Sequence, residues 1–250
     1  MKLRCAAVSL VATLATWATP GAWAQAGGAW AQAGGASANT GGARAVVPAV
    51  SVQACTACHG REGRAAADGF YPRIAGKPAD YLLHQLQAFR DGRRQYALMT
   101  HLLEPLDDRY LREIAQHFAQ LQLPYPPPRP AEASAEVLAR GQALVQRGDP
   151  ARRLPACTAC HGTAMTGVAP AVPGLLGLPR DYLNAQLGAW RTGQRRALAP
   201  DCMAQVAQAL APEDIGAVAA WLAAQPVPAG GHPAETAPGP WPARCGGVAP

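Results

Sequence analysis

The sequence predicts an all-α protein in which two tandem helical domains are joined by a proline-rich linker. Three observations predict this fold class. The seven letters ACTACHG occur at 54–60 and again at 156–162, and the residues after each copy also match. The matched segments carry apolar residues at helical spacing. Between the copies, the proline-rich run LPYPPPRPAEAS favours an extended, semi-rigid spacer.

A secretory signal peptide is predicted at the start of the chain, residues 1–24. Lys2 and Arg4 form a short positive region, and the residues after them are largely apolar. The apolar run is too short to span a bilayer, which takes ~20 residues in a helix, so we interpret it as a cleaved leader and not as an anchor. The sequence therefore predicts an exported protein, in a compartment that permits disulfide bonds.

The cleavage site has two candidates, because AWAQAGG occurs twice in succession. Small residues suit cleavage after Ala24 and equally after Ala31. The residues at 25–45 are rich in alanine and glycine, and we predict a disordered spacer there.

The first domain is predicted over 46–123. Its segment 78–94 is predicted to form a helix that stops at Gly92, because its apolar residues share one helical face. A last helix is predicted from the spacing of Leu111, Ile114, Phe118 and Leu121.

The linker is predicted at 124–133 and the second domain at 134–225. The segment 179–195 repeats the helix of the first domain, with Gly193 as its stop. After the second domain, residues 226–250 are rich in proline and glycine and are predicted to be an irregular tail. The last helix of the second domain is predicted from Ile215, Val218 and Leu222.

Each copy of the repeat contains C-x-x-C-H, the attachment motif of c-type haem. Two thiols one helical turn apart reach the two vinyl groups of a porphyrin and form thioethers. The histidine that follows then lies below the ring and binds iron through a neutral imidazole. The sequence therefore predicts two covalently attached haem c groups, bound through Cys55, Cys58, Cys157 and Cys160, with His59 and His161 as iron ligands.

Two other kinds of site use paired cysteines. Structural zinc sites usually keep their C-x-x-C pairs within ~12–20 residues of each other, whereas here the whole of residues 59–156 intervenes. A thioredoxin-type motif needs a βαβ context, which the sequence lacks. Neither kind explains a histidine placed identically after both pairs.

Two methionines are the candidates for the second axial ligand of each iron. Met99 and Met203 lie at nearly equal distances beyond His59 and His161, and each stands seven residues before a leucine. Met165 has no counterpart in the first copy and is expected to pack in the core. Thioether ligation favours Fe(II) and raises the reduction potential. It also closes the iron to substrate, which predicts an electron carrier and not an enzyme.

Several polar residues leave alternatives open. Unmatched histidines are expected to be solvated or structural, although His101 lies close enough to Met99 to compete for iron; they are His84, His101 and His117. Four arginines follow the matched helices and either neutralise haem propionates or are solvated; they are Arg93, Arg94, Arg195 and Arg196.

Two cysteines lie outside the haem motifs. Cys202 and Cys245 either form a disulfide, which would hold the tail beside the Met203 loop, or remain free thiols.

Composition limits the classes of function. The chain has 26 glycines, 24 prolines and 6% aromatic residues, which suits compact helical modules joined by loops. Its formal net charge is +6, but the charges are scattered and haem propionates would offset most of them. We therefore expect no nucleic-acid partner.

These motifs resemble the dihaem cytochromes c of the c4 type, within the class I cytochrome c superfamily. The resemblance covers roughly 46–225 and depends on the doubled CTACHG, the doubled DYL helix and the two methionines ahead of the last helices. It implies two tandem class I cytochrome c domains, each with one haem ligated by histidine and methionine. The residues before the first haem motif depart from the pattern, because they lack a clear long helix.

The resemblance also implies a function. It implies a periplasmic carrier, soluble or loosely bound to the membrane, that moves electrons by outer-sphere transfer from a quinol-oxidising complex or a dehydrogenase to a terminal oxidase or similar acceptor. One alternative is the cytochrome subunit of a periplasmic dehydrogenase complex. A second alternative is a dihaem peroxidase, which would need an open iron site.

Overall fold

Helices form nearly all the regular structure in the part of the chain that the structure describes. The computed structural model describes residues 52–65 and 69–248. The predicted signal peptide (1–24), the predicted spacer (25–45) and the residues just before the first haem motif lie outside the described residues. No helix in the described part of the chain is both long and apolar enough to span a membrane.

In the described residues of the first domain there are four helices, α1 to α4, and a short 3₁₀ turn at Arg61–Gly63. They pack around one apolar core that includes Leu103, Leu111 and Phe118, which are at most 1% exposed. The helices are α1 (Gln53–His59), α2 (Ala79–Arg90), α3 (Ala97–Leu103) and α4 (Asp108–Ala119).

The second domain has five helices, α5 to α9, and a 3₁₀ turn at Pro150–Arg152. Its helices α6 to α9 repeat the plan of the first domain, and α5 precedes them. Its core includes Val145, Leu210 and Leu222, which are at most 4% exposed. A small antiparallel hairpin pairs Gly167–Val168 with Val172–Pro173. The helices are α5 (Ala135–Arg147), α6 (Thr158–His161), α7 (Arg180–Arg191), α8 (Cys202–Ala209) and α9 (Pro212–Ala223). The all-α prediction is confirmed, with this hairpin as the small exception.

Local sequence signals explain where the helices begin and end. The carboxylates of Asp107 and Asp201 accept hydrogen bonds from backbone N–H groups in the first turns of α4 and α8, at 2.8 and 3.0 Å. Both predicted stop glycines, Gly92 and Gly193, follow the ends of α2 and α7 with φ of 71° and 75°. Glycine adopts this left-handed conformation without steric cost.

A close helix crossing and a buried carboxylate hold the second domain together. Gly141 of α5 lies against the backbone of Ala217 in α9, so closely that a Cβ atom there would overlap the Ala217 carbonyl. Asp214 of α9 is 0% exposed and accepts hydrogen bonds from Arg140 of α5 at 2.7 Å and from Arg152 at 2.6 Å. One carboxylate thus joins three segments of the chain.

The tail packs on the second domain, and its described residues, 226–248, form no helix or strand of their own. Ala234 exchanges backbone hydrogen bonds with the hairpin, donating to Gly167 at 2.9 Å and accepting from Ala169 at 2.8 Å. Farther along, Cys245 forms a disulfide with Cys202 at the start of α8. Between these two attachments, the segment 238–240 lies beside the second haem motif and lines a shallow cavity with Thr158 and Ala159.

Candidate haem sites

The histidines of the two motifs are buried in the same way. His59 ends α1 and His161 ends α6, and they are 8% and 7% exposed. The Nδ1 atom of His59 donates to the carbonyl oxygen of Pro72 at 2.8 Å, and that of His161 donates to Pro173 at 2.7 Å. With the proton on Nδ1, the Nε2 atom of each ring is left to bind iron.

The electrostatic surroundings favour the neutral imidazoles that a metal requires. Burial lowers the pKa of His59, against the opposing effect of the Pro72 hydrogen bond, and the positive charge of Arg94 lowers it further. Burial likewise lowers the pKa of His161, against the Pro173 hydrogen bond, and here the additional positive charge is that of Lys77. Both rings are therefore deprotonated at Nε2 at neutral pH.

The four motif cysteines are free of disulfides, and three of them are partly buried. Burial raises the pKa of the Cys55, Cys157 and Cys160 thiols, to about 11 for Cys157. Among the residues that the structure describes, no three His, Cys, Asp or Glu side chains converge as metal ligands would. The two C-x-x-C pairs therefore do not meet in one shared site of the zinc type.

Both candidate methionine ligands lie on short helices, α3 and α8, so the expected Met203 loop is helical instead. Asp201 caps the start of α8, because its side chain accepts a hydrogen bond from the Ala204 N–H at 3.0 Å. Met99 packs against the same apolar core as Cys55, and Met203 packs against the same core as Cys157. Met165 is 3% exposed within the second core, so its predicted packing role is confirmed.

The unmatched histidines have ordinary surroundings. His101 is exposed, and His84 and His117 are half-buried. The His117 ring lies edge-on to Phe118, with 5.1 Å between the ring centroids. This agrees with the solvated or structural roles expected for them.

The four arginines after the matched helices divide into two buried and two more accessible residues. Arg94 and Arg195 are 9% and 5% exposed, whereas Arg93 is half-buried and Arg196 is exposed. Their backbones meet between the domains, where Gln95 N–H donates to the carbonyl of Gln194 at 2.8 Å. The two buried guanidinium groups thus lie at the contact between the domains.

The side chains around this contact repeat across it. Arg94 donates to Gln85 at 3.0 Å and to Gln186 at 2.6 Å, and Arg195 donates to the same two side-chain oxygens, each at 2.8 Å. Each guanidinium also donates to a tyrosine hydroxyl of the other domain, Arg94 to Tyr182 and Arg195 to Tyr81. These partners were not predicted from the sequence. The sequence does carry a sign of them, because the tyrosine and the glutamine are the same in both copies of the helix.

This cluster fits the carboxylates of haem. Neither Arg94 nor Arg195 forms an ion pair with a carboxylate within residues 52–65 and 69–248. The indole Nε1 of Trp190, whose ring lies 3.8 Å from the Arg195 guanidinium, is buried and has no hydrogen-bond partner in the described part of the chain. Two buried cations and an unpaired donor are what haem propionates would satisfy.

Lys77 is a further buried cation, and its burial was not predicted from the sequence. Burial, reinforced by the positive charge of Arg73, lowers its pKa to about 8. No local pattern marks a buried lysine, because its burial depends on contact with the other domain.

Comparisons with known proteins agree with this geometry. The model of the Cytochrome c family matches the chain twice, over residues 48–108 and 138–225. The chain is 35% identical to a protein of Thiomonas intermedia named "Thiosulfate dehydrogenase electron acceptor", over 88% of this chain and 91% of that protein.

Two solved structures are also similar. Reduced recombinant cytochrome c4 from Pseudomonas stutzeri is 31% identical, with a TM-score of 0.59, over 68% of this chain and 93% of that one. The thiosulfate dehydrogenase TsdBA from Marichromatium purpuratum is 34% identical, with a TM-score of 0.62, over 69% of this chain. This chain spans 36% of the TsdBA chain.

Proposed function

Because the chain belongs to the cytochrome c family as a dihaem protein of the c4 type, with two covalently attached haem c groups, we propose that it carries electrons in the periplasm from a dehydrogenase to a terminal oxidase or similar acceptor. The observation that carries this proposal is the pair of matching buried histidines, each oriented by a proline carbonyl. Two similar sites joined by one buried contact suit a carrier that holds up to two electrons.

We assign the iron ligands as His59 with Met99 in the first domain, and His161 with Met203 in the second. Cys55 and Cys58, and Cys157 and Cys160, are the proposed attachment points. When bound, each haem supplies an iron that alternates between Fe(III) and Fe(II). An iron held by both a histidine and a methionine would be closed to substrate, which favours outer-sphere transfer over catalysis at the haem.

The chain's own residues prepare these sites for electron transfer. The carbonyls of Pro72 and Pro173 fix the orientation of the imidazoles, and the apolar cores partly shield from water the cysteines and methionines packed against them. Arg94 and Arg195 supply positive charge where propionates would lie. A site with fixed ligands and partial shielding from water reorganises little when its charge changes, which suits rapid electron exchange.

The donor that we propose is a dehydrogenase that oxidises thiosulfate. Support comes from the similarity to a protein named as the electron acceptor of thiosulfate dehydrogenase, which extends over nearly the whole of that relative. The likeness to part of the TsdBA chain points the same way. The alternative to a free shuttle is a subunit that remains bound to this dehydrogenase.

The test mixes the purified, oxidised, haem-loaded protein with a catalytic amount of thiosulfate dehydrogenase and with thiosulfate. We expect the absorption of reduced haem to rise at a rate that depends on the dehydrogenase, and a terminal oxidase added afterwards to reoxidise the protein. Full reduction by dithionite is the control that both haems can accept electrons. If that control succeeds but the protein is reduced no faster with the dehydrogenase than without it, this donor is rejected. Gel filtration of the mixture distinguishes a lasting complex from a transient encounter.

Export is tested separately. We expect the haem-stained protein in the periplasmic fraction, with an N-terminus after Ala24 or Ala31. Haem-stained protein that retains its first residues would contradict a cleaved leader.

A further inference from the structure

Lys77 belongs to the first domain, but its side chain ends inside the second. It lies in the turn before α2 and is 5% exposed, and its Nζ atom donates to the carbonyl oxygen of Gly174 at 3.0 Å. Gly174 directly follows Pro173, whose carbonyl accepts the hydrogen bond from His161. The ammonium group therefore lies one peptide unit away from the group that orients the proposed iron ligand of the second haem.

The charge of Lys77 has no counter-ion in the described residues, 52–65 and 69–248, where it takes part in no ion pair. The charged group that acts on it is another cation, Arg73. Because a buried, unpaired charge is poorly screened, its field extends to its neighbours. Its hydrogen bond to the Gly174 carbonyl places this field beside the peptide unit whose carbonyl, that of Pro173, binds the His161 ring.

The first haem has no equivalent lysine. Since Pro78 matches Pro179 in the repeat, the counterpart of Lys77 is Leu178, an uncharged side chain that is 9% exposed. Arg94 and Arg195, in contrast, are arginines at matching positions of the two copies. Lys77 is therefore a charge that distinguishes the second site from the first.

We propose that Lys77 tunes the second haem from the first domain, its buried ammonium raising the reduction potential of the haem held at Cys157, Cys160 and His161. The physical reason is that oxidised iron carries one more positive charge than reduced iron, so a nearby cation disfavours the oxidised state. Because the charge comes from the other domain, the potential of the second haem also depends on the two domains staying docked. This inference depends on the haem at the second motif and its ligation by His161, but not on the identity of the electron donor.

The test compares three variants of the full-length, haem-loaded protein with the wild type, at pH 6. Lys77→Gln removes the charge but keeps a donor for the Gly174 carbonyl, Lys77→Met removes both, and Lys77→Arg is the matched control that keeps the charge. Spectro-electrochemical titration gives both potentials, and NMR signals of the Met99 and Met203 methyl groups assign them to the two haems.

We expect Lys77→Gln and Lys77→Met to lower the potential of the second haem while the first stays in place, and Lys77→Arg to keep the wild-type value. An unchanged second potential in Lys77→Gln would overturn the inference. So would an equal shift of both haems, or a shift in Lys77→Arg as large as in Lys77→Gln, since either would indicate a structural effect. If Lys77→Met does not fold with its haems attached, the comparison of Lys77→Gln with Lys77→Arg still shows whether the charge affects the second potential. A negative result with thiosulfate dehydrogenase would leave these potentials unaffected, so the two proposals fail independently.

Discussion

Arg94 and Arg195 share both of their glutamine acceptors, although they come from different domains. Each guanidinium donates to the side-chain oxygens of Gln85 and Gln186, at 2.6 to 3.0 Å. Each also lies over an aromatic ring of its own domain, Arg94 over Phe89 and Arg195 over Trp190. The contact between the domains is thus a polar network in which two cations are held close together.

Replacing Arg195 by leucine should destabilise the haem-loaded protein by about 1–3 kcal/mol, because buried acceptors lose a charged donor. Arg196→Leu is the matched control: its side chain is exposed, and we expect a change within about 0.5 kcal/mol. Urea unfolding followed by haem absorbance measures both. If Arg195→Leu were as stable as the wild type, the loss of these hydrogen bonds would be offset by relief of the repulsion between Arg195 and Arg94. No anion would then compensate the two cations, and the proposed propionate contact would be wrong.

Asp214→Asn should destabilise the second domain by about 2–4 kcal/mol. The substitution leaves Arg140 and Arg152 without their shared carboxylate. Because both arginines are partly exposed, the loss of stability should be equal to or smaller than the loss found when one partner of a fully buried ion pair is removed. Glu213→Gln, at the exposed neighbouring position, is the control and should change little. Chemical denaturation of the two variants measures the difference, and equal stabilities would contradict the role of Asp214.

The effect of Asp214 should also depend on pH. Burial alone would raise the pKa of this carboxyl, but hydrogen bonds from Arg152, Arg140 and the Ala211 N–H outweigh burial and hold the pKa below its ordinary value. A carboxyl whose pKa is lowered by folding stabilises the folded state at any pH above its pKa in the unfolded chain, about 3.9. This stabilisation is lost as the pH falls through the pKa in the folded state. The stability gap between wild type and Asp214→Asn should therefore be largest near neutral pH and shrink below about pH 4. A gap that is constant from neutral pH to pH 2 would contradict this.

Gly141→Ala should separate α5 from α9 and lower the stability by about 1–3 kcal/mol, as overpacking typically does. The physical reason is the overlap of the new Cβ with the backbone of Ala217. Gly188→Ala on α7 is the control, because nothing lies within 4 Å of a Cβ there and the first domain has Gln87 at the matching position. In a helix, that change should stabilise by about 0.5–1 kcal/mol. Thermal unfolding should move in opposite directions for the two variants, and movement in the same direction would contradict the close crossing.

Removing the disulfide with Cys202→Ser and Cys245→Ser should release the end of the tail. We expect faster proteolysis between residues 226 and 245 and a loss of about 2–4 kcal/mol in stability, with cleavage of the first domain unchanged. Mild thiol reduction of the wild type should reproduce this, since thiols do not cleave the thioethers of haem. Mass spectrometry of the fragments decides, and a tail that stays resistant in both samples would show that its other contacts suffice.

Local patterns were enough to predict the haem motifs and most helices. The C-x-x-C-H spacing, the apolar faces of α2, α4, α7 and α9, and the stop glycines Gly92 and Gly193 all depend on neighbours in sequence. The short helices that carry Met99 and Met203 were harder, because one or two turns leave little periodicity.

Features that depend on distant contacts could not be predicted in the same way. The pairing of Cys202 with Cys245 stayed open because two cysteines alone do not determine whether they meet. The burial of Arg94, Arg195 and Lys77 follows from how the two domains dock. Only the identity of the matched arginines, glutamines and tyrosines in both copies hinted at that contact, and Lys77 has no match at all.

The tail segment that the Cys202–Cys245 disulfide attaches to the second domain makes the two copies of the repeat unequal. Ala57 and Cys58 of the first motif are exposed, whereas Ala159 and Cys160 of the second are only partly so, with residues 238–240 of the tail beside them. Within the residues that the structure describes, a visiting protein therefore meets a more exposed first motif and a second one that the tail partly covers. We expect the order in which the two haems trade electrons with the outside to depend on steric access as well as on their relative affinities for electrons.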